Sequence, residues 1–69
     1  MRLGFQFQTF DQPADRLGAS LGATARAAED AGFDSIWTMD HLLQLPVLGP
    51  IEAPMIEAYT TLGFLAAVT

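Results

Sequence analysis

Arg2-Leu3-Gly4-Phe5-Gln6-Phe7-Gln8 and Ser35-Ile36-Trp37-Thr38-Met39, with the helical stretch between them, decide the fold. In the first, Leu3, Phe5 and Phe7 fall on one face and Gly4, Gln6 and Gln8 on the other, the period of two of a strand. The second is β-branched and aromatic and reads as another strand. Between them Leu17, Leu21, Ala25, Ala28 and Ala31 recur at spacings of three and four, one apolar helical stripe. Asp15 suits an N-cap or the first turn, where a carboxylate meets the positive end of the helix dipole. Gly32 stands where a left-handed C-terminal cap favours a residue without a Cβ. Gly18 and Gly22 read as glycines tolerated where the helix lies flat on a sheet, with a close-packing helix face as the alternative. Phe33-Asp34 makes a short loop. Strand, helix and strand joined this tightly predict a βαβ unit with parallel strands.

Outward from this unit, Thr9 to Pro13 reads as a loop, with Asp11, Gln12 and Pro13 as its turn residues. It holds no Gly-x-Gly-x-x-Gly, so a dinucleotide-binding start is disfavoured. After the second strand, Asp40-His41 opens a loop of about fifteen residues, a length that is usually functional or disordered. Pro46, Pro50 and Pro54 stiffen it. Its Leu42, Leu43, Leu45, Val47, Leu48 and Ile51 argue against disorder. A second helix is expected over residues 56–69, with Ile56, Tyr59, Leu62 and Leu65 on its stripe, Glu57 near its start and no cap at its end. The order β-α-β-loop-α is an α/β arrangement. It corresponds to a quarter of a (β/α)₈ (TIM) barrel, which takes roughly 250 residues to close.

The composition agrees with a piece of a larger buried structure. The 69 residues are 51% hydrophobic and 16% charged, against roughly 25% charged in ordinary domains. There is no cysteine, hence no disulfide staple or thiolate metal cluster. Three arginines stand against eight acids, a net charge of -5, with no lysine. That balance disfavours capture of nucleic-acid phosphate or of an anionic membrane surface. No apolar run approaches the length of a span or a signal peptide, so a soluble, cytoplasmic protein is expected.

Chemistry is sought first at Asp40-His41. In barrels the C-terminal ends of the strands carry the active site, and this pair follows the second strand. His41 is the sole histidine, and an imidazole suits proton transfer near neutrality. Both side chains reach one pocket only if the strand breaks at this point. Gln8 would stand nearest the mouth of the barrel, placed to hydrogen-bond a polar ligand, while Gln6 is an interior amide. Trp37 is expected in the core or against a helix. One histidine without ligand spacing makes no metal site.

Three motifs carry a family resemblance: residues 25–37, from Ala25-Arg26-Ala27-Ala28-Glu29-Asp30-Ala31-Gly32 to Ile36-Trp37; Met39-Asp40-His41; and residues 54–67, from Pro54-Met55-Ile56-Glu57-Ala58-Tyr59 to Ala67. In this order and spacing the chain resembles the N-terminus of luciferase-like flavin-dependent oxidoreductases, and most of all the coenzyme F420-dependent branch. The resemblance implies a TIM-barrel enzyme of which residues 1–69 form the N-terminal quarter, a fragment inactive alone. It implies hydride transfer between F420 and a small organic substrate. His41 would be the catalytic proton donor or acceptor, and Asp40 and His41 would contact the cofactor. Gln8 would join the substrate pocket, and the loop from Leu42 to Pro54 the substrate mouth. FMN-using relatives more often carry Glu-His-His where this chain has Asp40-His41-Leu42. That difference tips the resemblance towards F420; an FMN-dependent monooxygenase of the same fold is the alternative, and a small non-catalytic interaction module is a second. A homodimer is implied for the full-length protein, with helix 56–69 as a candidate interface element.

Overall fold

The computed structural model describes residues 1–69. Its elements run β1 (Gly4–Phe7), α1 (Ala14–Asp30), β2 (Ser35–Thr38) and α2 (Ala58–Val68). The two strands pair in parallel, Gly4 beside Ser35, Phe5 beside Ile36, Gln6 beside Trp37 and Phe7 beside Thr38. Paired residues share a face, so the sheet separates cleanly by parity. Phe5, Phe7 and Ile36 join the core or pack against it. Gly4, Gln6, Ser35 and Trp37 stand on the opposite, exposed face.

Helix α1 lays Leu21 and Ala25 against Phe7, Phe10 and Leu65 of the core, with Leu17, Met55 and Ile56 at its margin. Phe10 is the largest fully buried side chain. It comes from the loop after β1, so that loop is fastened to the core at its middle. Asp15 lies in the first turn of α1, while the N-cap position belongs to Pro13 and makes no side-chain cap. Proline already presets the backbone for helix entry. At the other end Gly32 takes φ +92°. The Phe33 N–H donates to Ala28 O and the Gly32 N–H to Glu29 O, the paired closure of a Schellman motif.

Four expectations change. Gln6 is exposed instead of an interior amide, because it lies on the face of the sheet away from the core. Trp37 is 62% exposed instead of core-packed; its parity with Gln6 turns it away from the helices, and its Nε1–H donates to Ser35 Oγ at 2.9 Å. Gly18 and Gly22 do not mark a helix flat on a sheet. A Cβ at Gly18 would lie 3.9 Å from Phe64 Cζ, and one at Gly22 would lie 3.5 Å from Val68 Cγ2, so both face α2. Ala31 is exposed and outside the stripe.

The second helix begins at Ala58, with Glu57 as its N-cap, and buries Ala58, Thr61 and Leu65; of the expected stripe Leu65 is buried and Ile56, just ahead of the helix, packs against the core, while Leu62 is exposed. Tyr59 is 79% exposed. The reason is that α2 is apolar on every side, so composition names no inner face. Its last turn does find a partner, since Thr69 Oγ1 donates to Leu65 O at 2.6 Å. No helix is long and apolar enough to cross a membrane.

Candidate active site

The paired residues Phe7 and Thr38 end the sheet together. Gln8-Thr9 and Asp40-His41 therefore leave the same end of adjacent strands. Strand β2 stops at Thr38, ahead of Asp40. The alternation that would send Asp40 and His41 to opposite faces has ended before it reaches them. Both are exposed, and neither takes part in any of the side-chain hydrogen bonds that hold the chain together.

A hollow of about 360 Å³ opens between β1, the loop after it and α1, lined by Gln6, Gln8, Thr9, Phe10, Gln12 and Ser20 among others. Gln8 is thus brought into a concavity whose lining is both polar and apolar. Asp40 and His41 belong to the neighbouring strand end and are not part of the lining. No three acid, histidine or cysteine side chains group as a metal site.

One residue at this end has no counterpart in the sequence reading. Gln44 is 2% exposed, although a loop glutamine is ordinarily solvated. Its Nε2 donates to Gln8 O at 3.0 Å. Its Oε1 accepts from the Leu45 N–H at 2.9 Å, and its own N–H donates to Ile51 O at 3.2 Å. The loop after β2 is in this way tied to the end of β1 and to itself. The neighbours Leu42 and Leu43 are 98% and 57% exposed, an inversion of apolar and polar that no periodicity could have shown. Below the sheet, Thr38 Oγ1 is buried without a hydrogen-bond partner, and nothing in the structure accounts for it.

A family profile described as luciferase-like monooxygenase matches residues 1–69. The chain belongs to the luciferase-like monooxygenase family. This luciferase-like chain is also similar to two curated proteins, the mitochondrial electron transfer flavoprotein subunits alpha of Oryza sativa subsp. indica and subsp. japonica. Each is 42% identical over 62 residues, which make up 90% of this chain and 15% of the relative. The chain thus spans about 15% of the length of the curated relatives it matches. No solved structure matches the luciferase-like chain.

Proposed function

We propose that this chain is the N-terminal quarter of a TIM-barrel oxidoreductase that uses coenzyme F420 to move a hydride to or from a small organic substrate. The observation that carries the reading is the position of Asp40 and His41. They are exposed, outside the intrachain side-chain hydrogen bonds and just beyond the end of β2, at the same end of the sheet from which Gln8 leaves β1. Membership of the luciferase-like family supports a flavin-type cofactor. Asp40-His41-Leu42, in place of Glu-His-His, favours F420 over FMN.

The groups at this end fit such a ring. A flavin or deazaflavin presents a flat apolar face and an edge of amide-like donors and acceptors. The hollow is lined by the amides of Gln6, Gln8 and Gln12 together with apolar side chains that include Phe5 and Leu17. The bound deazaflavin supplies the two-electron hydride chemistry. Transfer of a hydride to an organic substrate leaves one proton to be delivered, and the reverse reaction leaves one to be taken up. His41 holds that proton on an imidazole nitrogen. Asp40 orients the cofactor edge and the imidazole, and Gln8 donates or accepts at a polar substituent of the substrate. The loop from Leu42 to Pro54 keeps water from the substrate mouth.

Fluorescence and absorbance titration of the intact protein with F420 and with FMN tests the reading. Saturable binding of F420 with a His41→Asn loss of turnover of about 100-fold, the usual weight of a general acid or base, supports it. Binding of FMN alone with oxygen consumption favours the monooxygenase alternative, and binding of neither overturns both.

A further inference from the structure

Gln44 is buried in a loop where leucines are exposed, and each of its amide atoms meets a backbone group of the opposite polarity. Burying an amide is unfavourable unless its hydrogen bonds are made, and here both are. The carbonyl of Gln8 can only accept and the Leu45 N–H can only donate, so just one orientation of the Gln44 amide satisfies both. This is the sole hydrogen bond linking the loop after β1 to the loop after β2. His41 is three residues before Gln44, on a stretch whose own side chains are exposed. Between Thr38 and Gln44 no other hydrogen bond holds the backbone.

On the reading of His41 given above, we infer that Gln44 is a positioning residue that sets the distance of Asp40-His41 from the cofactor by clamping their loop to the carbonyl of Gln8. It touches neither cofactor nor substrate and acts through His41. A glutamate at this place keeps the acceptor for Leu45 but turns an oxygen toward the Gln8 carbonyl. A methionine keeps the volume and loses both bonds.

The experiment is a double-mutant cycle in the intact protein, combining Gln44→Glu and Gln44→Met with His41→Asn. It reads the F420 dissociation constant, kcat and the melting temperature. The expected result is that each Gln44 variant melts cooperatively, binds F420 roughly fivefold more weakly, as the loss of one hydrogen bond of about 1 kcal/mol implies, and loses kcat. In the His41→Asn background the same substitutions add nothing further to either loss, the non-additivity expected of residues acting through one another. Lowering the pH through the carboxyl range restores the donor in Gln44→Glu, so F420 binding recovers relative to wild type at the same pH, while Gln44→Met does not recover. Losses that multiply in the double variants, or a Gln44→Met protein with wild-type binding and kcat, overturn the proposal. A His41→Asn protein with wild-type binding and turnover overturns the site reading itself, and the role of Gln44 with it. A Gln44→Glu variant that does not fold leaves the decision to Gln44→Met.

Discussion

Asp34 and Leu3 exchange two hydrogen bonds where the sheet begins. The Leu3 N–H donates to Asp34 Oδ2 at 2.9 Å, and the Asp34 N–H donates to Leu3 O at 2.8 Å. The second bond extends the parallel ladder by one step, and the first supplies a side-chain acceptor where β1 has no further strand bond. Asp34 thus aligns the two strands at one end so that Gln8 and Asp40-His41 emerge level at the other. Asp34→Ala should lower the stability of the intact protein by about 1 kcal/mol, the usual net worth of such a bond, measured by denaturant unfolding. Asp34→Asn, which keeps an acceptor oxygen, should lose less. Equal stability of Asp34→Ala and wild type would show that the backbone bond alone fixes the register.

Gly32 offers a test of backbone conformation free of packing effects. Its φ is +92°, and a Cβ there would meet nothing within 4 Å. Gly32→Ala therefore creates no clash and reports only the conformational penalty, of about 1 kcal/mol. Gly32→Asn should cost less, since asparagine enters the left-handed region more readily. Both values come from the same unfolding measurement, and an alanine as stable as glycine would contradict the helix ending described.

Much of this arrangement is legible in the residues themselves. The alternation of Phe5, Gln6 and Phe7 gives both the strand and its inner face, and Gly32 gives the end of α1, because each is a local requirement of backbone geometry. Trp37 is misread because its apolar bulk suggests burial, whereas its pairing beside Gln6 determines its side of the sheet. Tyr59 and Leu62 mislead for a related reason. In a helix that is apolar all round, the inner face is chosen by shape, at Gly18 and Gly22, and not by polarity. The strand-end placement of Asp40-His41 follows from where β2 stops. Gln44 carries no local pattern, since its burial depends on a carbonyl 36 positions away.

The two glycines of α1 should respond differently to a methyl group. At Gly18 the added Cβ meets Phe64 Cζ at an ordinary 3.9 Å. Gly18→Ala should therefore stabilise by about 0.5–1 kcal/mol through helix propensity. At Gly22 the Cβ would approach Arg26 Nη1 at 3.3 Å and Val68 Cγ2 at 3.5 Å. The guanidinium can swing aside, but its bond to Val68 O at 3.4 Å is then lost, so Gly22→Ala should gain less than Gly18→Ala. Gly22→Leu should destabilise by about 1–3 kcal/mol through overpacking. Thermal melts of the three variants decide the order, and a Gly22→Leu protein as stable as wild type would remove the close approach of α1 and α2.

The start of α2 carries a pH dependence whose sign is fixed by geometry. Glu57 Oε2 accepts the Thr60 N–H at 2.6 Å. That backbone bond first, then the contribution of the Thr60 side chain, holds the Glu57 carboxyl below its ordinary value, against a smaller opposing effect of desolvation. A group with a lowered native pKa contributes stability that is fully present above its unfolded value and is lost as pH falls through the native one. The α2 N-terminus should therefore hold at neutral pH and fray only below the ordinary glutamate range. In the intact protein, the Thr60 amide resonance should titrate with a midpoint below that range, and its hydrogen exchange should accelerate on the acid side. The Thr61 N–H, which donates to the backbone oxygen of Glu57 at 3.1 Å, should change less. Glu57→Gln leaves a neutral acceptor, so the acid-dependent step at Thr60 should vanish while the helix persists. A Thr60 amide with the same titration in Glu57→Gln would assign the effect to another carboxylate and remove Glu57 as the cap that sets where α2 begins.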